Sequence, residues 1–333
     1  MKVIHFQRKP VSERYFSIEN SFEAIRKELP HFGIEAIVVV CKYISQGFSK
    51  RLFNTLQAAS YQADVFHITG DVHYLALFLP KEKTILTIHD CVFMKHSSKW
   101  ALKVLKLFWL TLPSKKVSYI TCISEKTKEE VLRYVKVDPS RIVVIPTVVN
   151  DSLFTESPLS FRAECPHILH IGTTPNKNLG RVITALHGLP CHLHIIGPLS
   201  EEDVQLLQIH HIQYTNEVGI NNDRMAQKYK EADIVLFAST YEGFGMPILE
   251  AQLTGRPVIT SQLAPMDDIA GNAACLVDPF DPISIRNGLE LVIENAAFRE
   301  ELIQKGFQNA KRFSAQEVAG RYADLYRQLA NKR

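Results

Sequence analysis

Two glutamates, Glu242 and Glu250, lie eight residues apart in the segment YEGFGMPILEA, on either side of a Gly-Phe-Gly turn. Gly243 and Gly245 remove side chains where a ligand could approach the backbone, and a helix that starts near Met246 would offer free N–H groups to a phosphate. Glu250 would lie about one turn into that helix, where a carboxylate can accept hydrogen bonds from a ribose diol. An acid in the first turn also complements the helix dipole by roughly 0.3–1 kcal/mol, but this leaves Glu242 and the turn unexplained.

The elements that position this segment follow the pattern of parallel α/β sheets. The first half of the chain contains the apolar runs KVIHF, EAIVVVCK, DVFHIT, TILTIHD, SYITCIS and RIVVIPT, and the second half contains HILHIG, CHLHIIG, HIQYT, DIVLFAS, PVITS and ACLVD. Runs this continuous are typical of strands buried on both faces. Two sets of six strands predict two doubly wound lobes, with ligands at the carboxyl ends of the strands. The YEGFG loop leaves the carboxyl end of DIVLFAS.

Helical patterns separate the strands. They include SIENSFEAIRKEL, EKTKEEVLRYV, LGRVITALHGL, DRMAQKYKEA and the long run DPISIRNGLELVIENAAFREELIQKGFQNAKRF. The polar, proline-containing residues 148–167 are the best candidate for a boundary between lobes. We therefore predict a first lobe over residues 1–155, a second over 165–312, and a last helix within 313–333 that could pack across both.

The composition is that of an ordinary globular protein, since 46% of the 333 residues are hydrophobic and 22% are charged. A formal net charge of +3 gives no reason to expect nucleic acid as a partner. The six cysteines form no C-x-x-C pair, which indicates reduced thiols and a cytosolic compartment. The N-terminus, MKVIHFQRKP, has the pattern of neither a signal peptide nor a membrane span, so we expect a cytoplasmic protein.

The segment YEGFGMPILEA, followed by GRPVITSQLAPMDDIAGNAACLVDP, resembles the E-x7-E region of retaining GT-B glycosyltransferases of the family-4 type. Further segments fall in that family's order along nearly the whole chain: ADVFHITGDVHYLAL, TILTIHD, ITCISEKTKEEVL, IVVIPTVV, HILHIGTTPNKNLGRVITAL and LHIIG. The resemblance implies the α/β GT-B fold, with two Rossmann-like lobes facing a central cleft. It also implies a retaining hexosyltransferase that moves a sugar from a nucleoside-diphosphate sugar to a glycan or lipid-linked acceptor in surface polysaccharide synthesis.

The same resemblance assigns donor-side roles in the second lobe. Glu250 would hold the donor ribose. Glu242 would lie near the sugar hydroxyls and Lys177 of TTPNKNL would pair with the diphosphate, and these two, with His89 of the first lobe, would be the catalytic residues. The rest of the donor-binding set is Gly172, Thr173, Gly243, Phe244, Gly245 and Met246. Many relatives carry an arginine beside the lysine, whereas this chain has Thr173 and Asn176. Without its neighbouring strand, Lys177 would be taken for a solvated loop lysine.

On the first lobe, His89 at the end of TILTIHD matches a family histidine near the donor sugar and the acceptor. A structural histidine is an equal alternative. The acceptor side would also contain Gly70, Asp71, His73 and Asp90. Where relatives carry glycines after the first strand, this chain has the basic residues Arg8, Lys9 and Arg14. Such a loop could meet a phosphate on the acceptor, and a solvated charged loop explains it equally well.

We expect no metal and no other cofactor. Asp-x-Asp, which holds the metal of the other glycosyltransferase fold, does not occur in the chain. A lysine and a helix N-terminus can stabilise the negative charge that develops on the departing diphosphate. The histidine pairs His192/His194 and His210/His211 lack cysteines or carboxylates at metal-ligand spacing, so surface or packing roles are favoured.

Residues 95–116 are rich in lysine and aromatic residues and contain no acid. They could lie on an anionic membrane surface at its inner face, where lipid-linked acceptors would be, or form an ordinary amphipathic helix on the first lobe. Three other functions stay open from the residues alone: a nucleotide-sugar epimerase, a sugar phosphorylase of the same architecture, and a bilobal protein that binds a ligand without catalysis. A dinucleotide oxidoreductase is disfavoured because no third glycine completes a fingerprint around GFG.

Overall fold

A computed structural model describes residues 1–9, 17–91, 103, 105–151, 153–158 and 160–331. The chain forms two compact units, the first from residues 1–148 and the chain after Ser314, the second from residues 149–314. The sequence placed the end of the first lobe at residue 155, but the residues after Val148 are held by the second unit. The Val149 amide donates to the Phe313 carbonyl at 3.1 Å, and the Phe154 ring packs edge-on against Tyr229.

The first unit contains a six-stranded parallel sheet. Its strands are β1 (Lys2–Gln7), β2 (Glu35–Val40), β3 (Val65–Ile68), β4 (Thr84–Ile88), β5 (Tyr119–Cys122) and β6 (Ile142–Val144). They lie in the order β2-β1-β3-β4-β5-β6, with every neighbouring pair parallel. The central strands β3, β4 and β5 are buried along their whole length, as their continuous apolar sequences predict.

The second unit contains another six-stranded parallel sheet. Its strands are β7 (His167–Ile171), β8 (His192–Ile196), β9 (Gln213–Glu217), β10 (Ile234–Phe237), β11 (Val258–Ser261) and β12 (Cys275–Val277). They lie in the order β12-β11-β10-β7-β8-β9. Each of the twelve strands overlaps a run chosen from the sequence, and the expectation of two doubly wound α/β units is confirmed. Because β7 and β10 are neighbours, the loops that leave their carboxyl ends emerge side by side.

Helices connect these strands. They are α1 (Ser17–Glu28), α2 (Phe48–Ala59), α3 (Leu112–Lys115), α4 (Glu125–Tyr134), α5 (Leu179–Leu186), α6 (Glu201–Ile209), α7 (Asn222–Glu231), α8 (Met246–Thr254), α9 (Met266–Ala270), α10 (Pro282–Glu294), α11 (Ala296–Lys311) and α12 (Ala315–Asn331). The long helical run after Asp281 is two helices, not one. Asn295 leaves the helical conformation, and its side chain accepts a hydrogen bond from the Phe298 amide, which caps the second helix.

Helix α12 returns to the first unit and buries an apolar face in its core. Val318, Leu325 and Leu329 pack there with α1 and the sheet. Gly320 lies where a Cβ atom would meet the Phe32 ring at 3.4 Å, and the Arg327 guanidinium donates to the Phe32 carbonyl at 2.7 Å. The helix is therefore an integral part of the first unit, although it follows the second unit in sequence.

A buried polar network fixes this helix to the sheet. The Tyr326 hydroxyl lies 2.9 Å from His5 Nε2 and 2.6 Å from His67 Nδ1. His67 Nε2 contacts the Thr87 hydroxyl at 2.7 Å, and Thr87 contacts Thr121 at 2.6 Å. Burial, with a smaller contribution from the charge of a nearby arginine, lowers the pKa of His5 to about 3, so the ring is neutral in the folded protein.

The basic segment at residues 95–116 is described only in part, because residues 95–102 and 104 lie outside the described residues. Residues Lys106–Thr111 form a π-helical turn that continues into α3. Its side chains differ in burial, since Leu110 and Pro113 are buried whereas Leu107 and Phe108 are exposed. Within the described part of the chain, no helix has the length and apolar character needed to cross a bilayer.

The network around Tyr326 gives a stability prediction. Tyr326→Phe should lower the free energy of unfolding of the first unit by about 1–3 kcal/mol, because two buried histidines lose their shared partner. Urea unfolding followed by circular dichroism measures the change. Tyr61→Phe, at a 38% exposed position, is the matched control and should unfold like the wild type. An unchanged midpoint for Tyr326→Phe would mean that the network adds nothing to stability.

Candidate active site

The loop after β7 places Lys177 at the carboxyl end of the second sheet. Residues Pro175–Lys177 form a short 3-10 turn after Gly172, which has φ +90°. A Cβ atom at Gly172 would lie 2.8 Å from Lys177 Cγ, so only glycine lets the lysine chain fold back over the backbone. The Lys177 ammonium sits 4.7 Å from the centre of the Phe237 ring, within the range of a cation–π contact.

Lys177 and Glu242 form an ion pair. The Lys177 Nζ to Glu242 Oε1 distance is 2.7 Å, and the two side chains are only 20% and 15% exposed. The Asn176 side-chain amide donates to the Tyr241 carbonyl at 3.0 Å, and the Thr240 amide donates to the Asn176 carbonyl at 2.8 Å. The structure thus brings two predicted catalytic residues together and bonds their loops to each other.

Asn178 holds the same loop through its side chain. The sequence analysis did not identify this residue as part of the site. Its backbone is left-handed (φ 66°), a conformation that asparagine tolerates better than most residues. Its buried side-chain amide donates to the carbonyls of Ala238 and Pro279 at 2.9 and 2.6 Å, and its carbonyl oxygen accepts from Arg181. The two asparagines that flank Lys177 shortly after a strand were the sequence feature from which this role could have been predicted.

Polar groups of Gly172 and Thr173 are used in hydrogen bonds within the protein. The Gly172 amide donates to the Ile196 carbonyl at 2.7 Å, and the Thr173 hydroxyl donates to the Pro198 carbonyl at 2.5 Å. Thr173 also packs against Gly197, where a Cβ atom would approach to 3.0 Å. These two predicted donor-side residues therefore shape the loop that carries Lys177.

Helix α8 begins at Met246, where the sequence predicts it. Gly245 precedes it with φ +131°, and a Cβ atom there would lie 3.1 Å from Ile248 Cδ1. The helix ends at Gly255, in the left-handed conformation that commonly stops helices. Phe244 turns inward, 7% exposed, and its ring packs edge-on against Phe313. Phe244 can therefore offer a ligand only its backbone.

Glu250 lies one turn into α8 beside Tyr229, which the sequence analysis missed. The Tyr229 hydroxyl donates to Glu250 Oε2 at 2.5 Å. Burial raises the pKa of Glu250 to about 7, against the opposing effects of the tyrosine hydrogen bond and the charge of Lys177. Burial and the neighbouring carboxylate also raise the pKa of Tyr229. The surroundings of Glu250 therefore disfavour its charged form relative to a solvent-exposed glutamate.

In the first unit, Arg8 is held by two acids. Its Nε donates to Glu19 Oε1 at 2.9 Å and its Nη1 to Asp71 Oδ2 at 2.7 Å. Gly70 lies against the Arg8 backbone, which a Cβ atom would meet at 3.6 Å. Lys9 is exposed, and Arg14 lies outside the described residues. The sequence treated Arg8 as a cation open to a phosphate, and the structure corrects this because two carboxylates already offset its charge.

The histidines of the acceptor side have defined tautomers. His89 Nε2 donates to the Thr69 carbonyl at 2.8 Å, which leaves Nδ1 as a hydrogen-bond acceptor. His73 Nδ1 donates to the Trp109 carbonyl at 2.7 Å, which leaves the buried Nε2 as an acceptor. Burial lowers the pKa of His73. Asp90 follows His89 and is partly exposed. Both histidines therefore combine a structural hydrogen bond with one ring nitrogen able to accept another.

No group of three or more histidine, cysteine, aspartate or glutamate side chains in the described part of the chain has a geometry suited to a metal ion. His192 and His194 contact His167 on the neighbouring strand, at ring-centre distances of 5.4 and 5.0 Å. The Thr215 hydroxyl is 2.7 Å from His194 Nδ1. Burial lowers the pKa of His194 to about 4. His167 and His192 are the first residues of β7 and β8, whereas Lys177 follows the carboxyl end of β7.

Two family models match the chain, one in each unit. The model described as "Glycosyl transferases group 1" matches residues 165–295, which contain Lys177, Glu242 and Glu250. The model described as "Glycosyltransferase Family 4" matches residues 41–153, which contain His89. The two matches follow each other along the chain in the order that the sequence analysis expected.

Relatives and solved structures agree with these matches. The chain is 26% identical over 281 residues to an O-antigen chain mannosyltransferase B of Escherichia coli, covering 74% of this chain and 71% of that protein. It is 25% identical over 240 residues to the O-antigen chain mannosyltransferase RfbU of Salmonella typhimurium, covering 68% and 66%.

Among solved structures, a glycosyltransferase from Rickettsia africae matches with a TM-score of 0.77 at 18% identity, covering 100% of this chain and 99% of that one. Anabaena HepE in complex with UDP and glucose matches with a TM-score of 0.76 at 15% identity, covering 98% and 100%. These neighbours show that the fold is the two-lobed α/β GT-B fold. With both family models matched, the chain belongs to the family-4 type of GT-B glycosyltransferases.

Proposed function

We propose that this glycosyltransferase moves a sugar from a nucleoside-diphosphate sugar to a glycan or lipid-linked acceptor, with retention of configuration and without a metal. The observation that carries the proposal is the Lys177–Glu242 pair beside the N-terminus of α8, with Glu250 one turn further along the same helix. This geometry provides a cation, a helix N-terminus and two carboxylates in different environments on one edge of one sheet.

Lys177 and the first turn of α8 would hold the diphosphate. An ammonium has three N–H donors, and the contact with Glu242 occupies one of them. The other two can bind phosphate oxygens while the pair with Glu242 is kept. The partial positive charge of a helix N-terminus adds to this attraction. Together they would stabilise the charge that grows on the leaving diphosphate, the role that a metal serves in other enzymes.

The two carboxylates would bind the other two parts of the donor, which are the ribose and the transferred sugar. Tyr229 contacts one oxygen of Glu250, so the other oxygen and the remaining lone pairs can accept hydrogen bonds from the two ribose hydroxyls. Glu242 is paired with Lys177 on the loop before α8, which supports a role nearer the phosphate end of a bound donor. From there Glu242 would accept hydrogen bonds from hydroxyls of the transferred sugar.

In the first unit, which would bind the acceptor substrate, the polar groups suited to a ligand accept hydrogen bonds and are not free cations. His89 Nδ1 can accept a hydrogen bond from a sugar hydroxyl. His73 was predicted on the acceptor side, but its Nε2 is buried and is not open to a ligand. Arg8 is already paired with Glu19 and Asp71, so its charge supports a phosphate contact less than the sequence implied. We therefore assign the polar contacts of this side to the hydroxyls of an acceptor glycan.

Named relatives support the sugar class. Two O-antigen chain mannosyltransferases and an MMP alpha-(1->4)-mannosyltransferase of Mycolicibacterium hassiacum match between 64% and 74% of this chain. HepE was solved with UDP and with UDP-glucose. We infer a mannosyl donor as the first to test and surface polysaccharide synthesis at the cytoplasmic side of the membrane as the setting. The transferase names do not favour the epimerase, the phosphorylase or the non-catalytic binding protein.

The activity predicts nucleoside diphosphate release that depends on an acceptor. UDP-, GDP- and ADP-sugars, including the mannosyl forms, are incubated with mannosyl glycosides, and the released nucleoside diphosphate is measured with and without EDTA. One base should give release only when the acceptor is present, and EDTA should leave the rate unchanged. Loss of activity in EDTA would refute metal independence, and equal release without acceptor would refute transfer to a sugar.

Lys177→Met should weaken binding of a nucleoside diphosphate by at least about tenfold, since a charge-assisted contact of about 1.5–3 kcal/mol is lost. Binding of the corresponding nucleoside should stay the same, because it has no phosphate for the lysine to contact. Isothermal titration calorimetry compares the two ligands. Lys305→Met, an exposed lysine paired with Glu301, is the control. An equal loss for the nucleoside would show that Lys177 only shapes the loop.

The raised pKa of Glu250 predicts that the affinity for the donor depends on pH. Its pKa of about 7 means that the carboxylate gains a proton as the pH falls through neutrality, and a protonated group accepts fewer hydrogen bonds from ribose. Affinity should therefore fall from about pH 8 to about pH 6, and the weaker affinity of Glu250→Gln should stay flat over this range. A 2′-deoxyribose nucleotide should reduce this pH dependence. A wild-type affinity independent of pH would contradict the assignment.

The same raised pKa has a consequence for stability without ligand. A glutamate whose pKa is higher in the folded than in the unfolded protein stabilises the fold at low pH, and this contribution is lost as the pH rises from about 4.5 to about 7. Glu250→Gln should thus be more stable than the wild type at about pH 8 and similar to it at about pH 5. Thermal unfolding at the two pH values provides the comparison.

A further inference from the structure

We propose that two copies of the chain pair through strand β2, which ends the first sheet, so that the two sheets join edge to edge. Strand β2 covers Glu35–Val40, and in the described part of the chain its neighbour in the sheet is β1 alone. The proposal concerns an interaction surface of the first unit and does not depend on the proposed function. It commits to one partner, which is a second copy of this chain.

The other edges of the two described sheets are protected against such pairing. Strands β6 (Ile142–Val144) and β12 (Cys275–Val277) end their sheets and have three residues each. Strand β9 has five residues, but its exposed side chains are the polar Gln213, Thr215 and Asn216. Short strands and polar side chains both hinder the association of edge strands. Each of these three edges is therefore suited to contact with water.

Strand β2 has none of these protective features. It is six residues long, and its segment from Ala36 to Val40 contains no charged residue and no proline. Ile37, Val38 and Val40 are 38%, 40% and 44% exposed, although residues of these types are mostly buried in folded proteins. A long apolar strand at an open sheet edge promotes aggregation. A specific partner that covers β2 would remove this hazard.

The backbone groups of β2 alternate between β1 and the open side of the sheet. The Glu35 amide donates to the Met1 carbonyl, at the start of β1, over 2.9 Å. Alternate residues of a strand direct their backbone groups to the same side, so the odd-numbered residues of β2 bond to β1. The N–H and C=O groups of Ala36, Val38 and Val40 therefore point away from the sheet. Another strand can bond to all of them, as buried backbone groups require.

An antiparallel pair centred on Val38 would use this open row completely. Val38 would lie opposite Val38 of the second copy, and Ala36 opposite Val40, so that three pairs exchange backbone hydrogen bonds. Between these pairs, Ile37 would lie opposite Val39. A two-fold axis perpendicular to the sheet would pass through the central pair and keep like faces of the two sheets together. All cross-strand pairs of these five residues are thus apolar, and such side-chain contacts stabilise paired strands.

Opposite charges flank this apolar segment. The exposed Glu35 precedes it, and the exposed Lys42 follows it after Cys41. In the antiparallel register, Glu35 of one copy would lie opposite Cys41 of the other, next to Lys42. Each end of the paired strands would therefore have a carboxylate and an ammonium from different copies, whereas a parallel pair in register would bring like charges together. The strand complements itself, and for this reason we assign a second copy as its partner.

The proposed interface does not include His89. Strand β4, which ends just before this histidine, is separated from β2 by β1 and β3. At about 4.8 Å between neighbouring strands, β4 lies roughly 14 Å from the open edge. Pairing through β2 and sugar transfer can therefore be tested separately, and the failure of one leaves the other standing.

Sedimentation velocity of the full chain between about 1 and about 200 µM tests the pairing, because one strand pair buries less than the roughly 1,600 Å² of a standard interface and should associate weakly. The wild type should pass from the mass of one chain to that of two. Val38→Lys places two like charges at the centre of the pair and should weaken association at least about tenfold. Ile209→Lys, at a 66% exposed position of the second unit, is the control and should associate like the wild type. Circular dichroism checks that each variant is folded.

Cysteine cross-linking tests the register, in a Cys165→Ser background because Cys165 is exposed. Val38→Cys should form a disulfide between copies under mild oxidation, since the Cα atoms of a hydrogen-bonded antiparallel pair lie about 5.5 Å apart. Val40→Cys is the matched control, on the same strand and similarly exposed. It should not cross-link, because the two copies of residue 40 would lie about 14 Å apart along the strands.

Three results would overturn the proposal. A wild type that stays monomeric over the whole concentration range would leave the edge to a strand of another protein. An association that Val38→Lys does not weaken would use a different surface. A disulfide in Val40→Cys but not in Val38→Cys would refute the pairing centred on Val38.

Discussion

The Lys177–Glu242 ion pair is the contact on which the rest of the second unit's site depends. It joins loops 65 residues apart in sequence, and it does so where neighbouring strands β7 and β10 end together. Burying most of an ammonium and a carboxylate costs solvation free energy, which their mutual attraction offsets only if the geometry is well held. Asn176 and Asn178 provide that hold through hydrogen bonds to backbone carbonyls. The pair fixes the Lys177 ammonium at the carboxyl end of the sheet.

Glu250 contrasts with Glu242 although both belong to one segment of eleven residues. Glu242 has a cation at 2.7 Å, whereas Glu250 has a tyrosine hydroxyl and little solvent. Burial in the second environment raises the pKa of Glu250 to about 7. A ligand whose hydroxyl groups donate to Glu250 would replace the hydrogen bonds that water gives to an exposed carboxylate. Under the proposed role of Glu250, part of the preference for a diol would arise from the cost of leaving this carboxylate without partners.

The sequence predicts those features that local residues determine. All twelve strands follow from continuous apolar runs, and the start of α8 follows from Gly245 and Pro247. Features that depend on distant contacts were missed or mistaken. Tyr229 reaches Glu250 from another helix, and the pairing of Arg8 with Glu19 and Asp71 spans up to 63 residues. In the first unit α12 contacts His5 and His67 through Tyr326, and no local pattern encodes these contacts.

The formal charge of the whole chain conceals its uneven distribution. A net charge of +3 gives little reason to expect an electrostatic partner, yet nine cations lie in two acid-free stretches, residues 36–63 and 91–124, and the remainder carries −6. At physiological ionic strength the field of an exposed charge falls off over about 8 Å, so a surface attracts a partner through its local charges. Contact between Arg51 and Trp109 brings the two stretches together, a fact of tertiary structure. Net charge is therefore the wrong quantity for predicting partners of a two-unit protein, and the local charge on each folded surface is the right one.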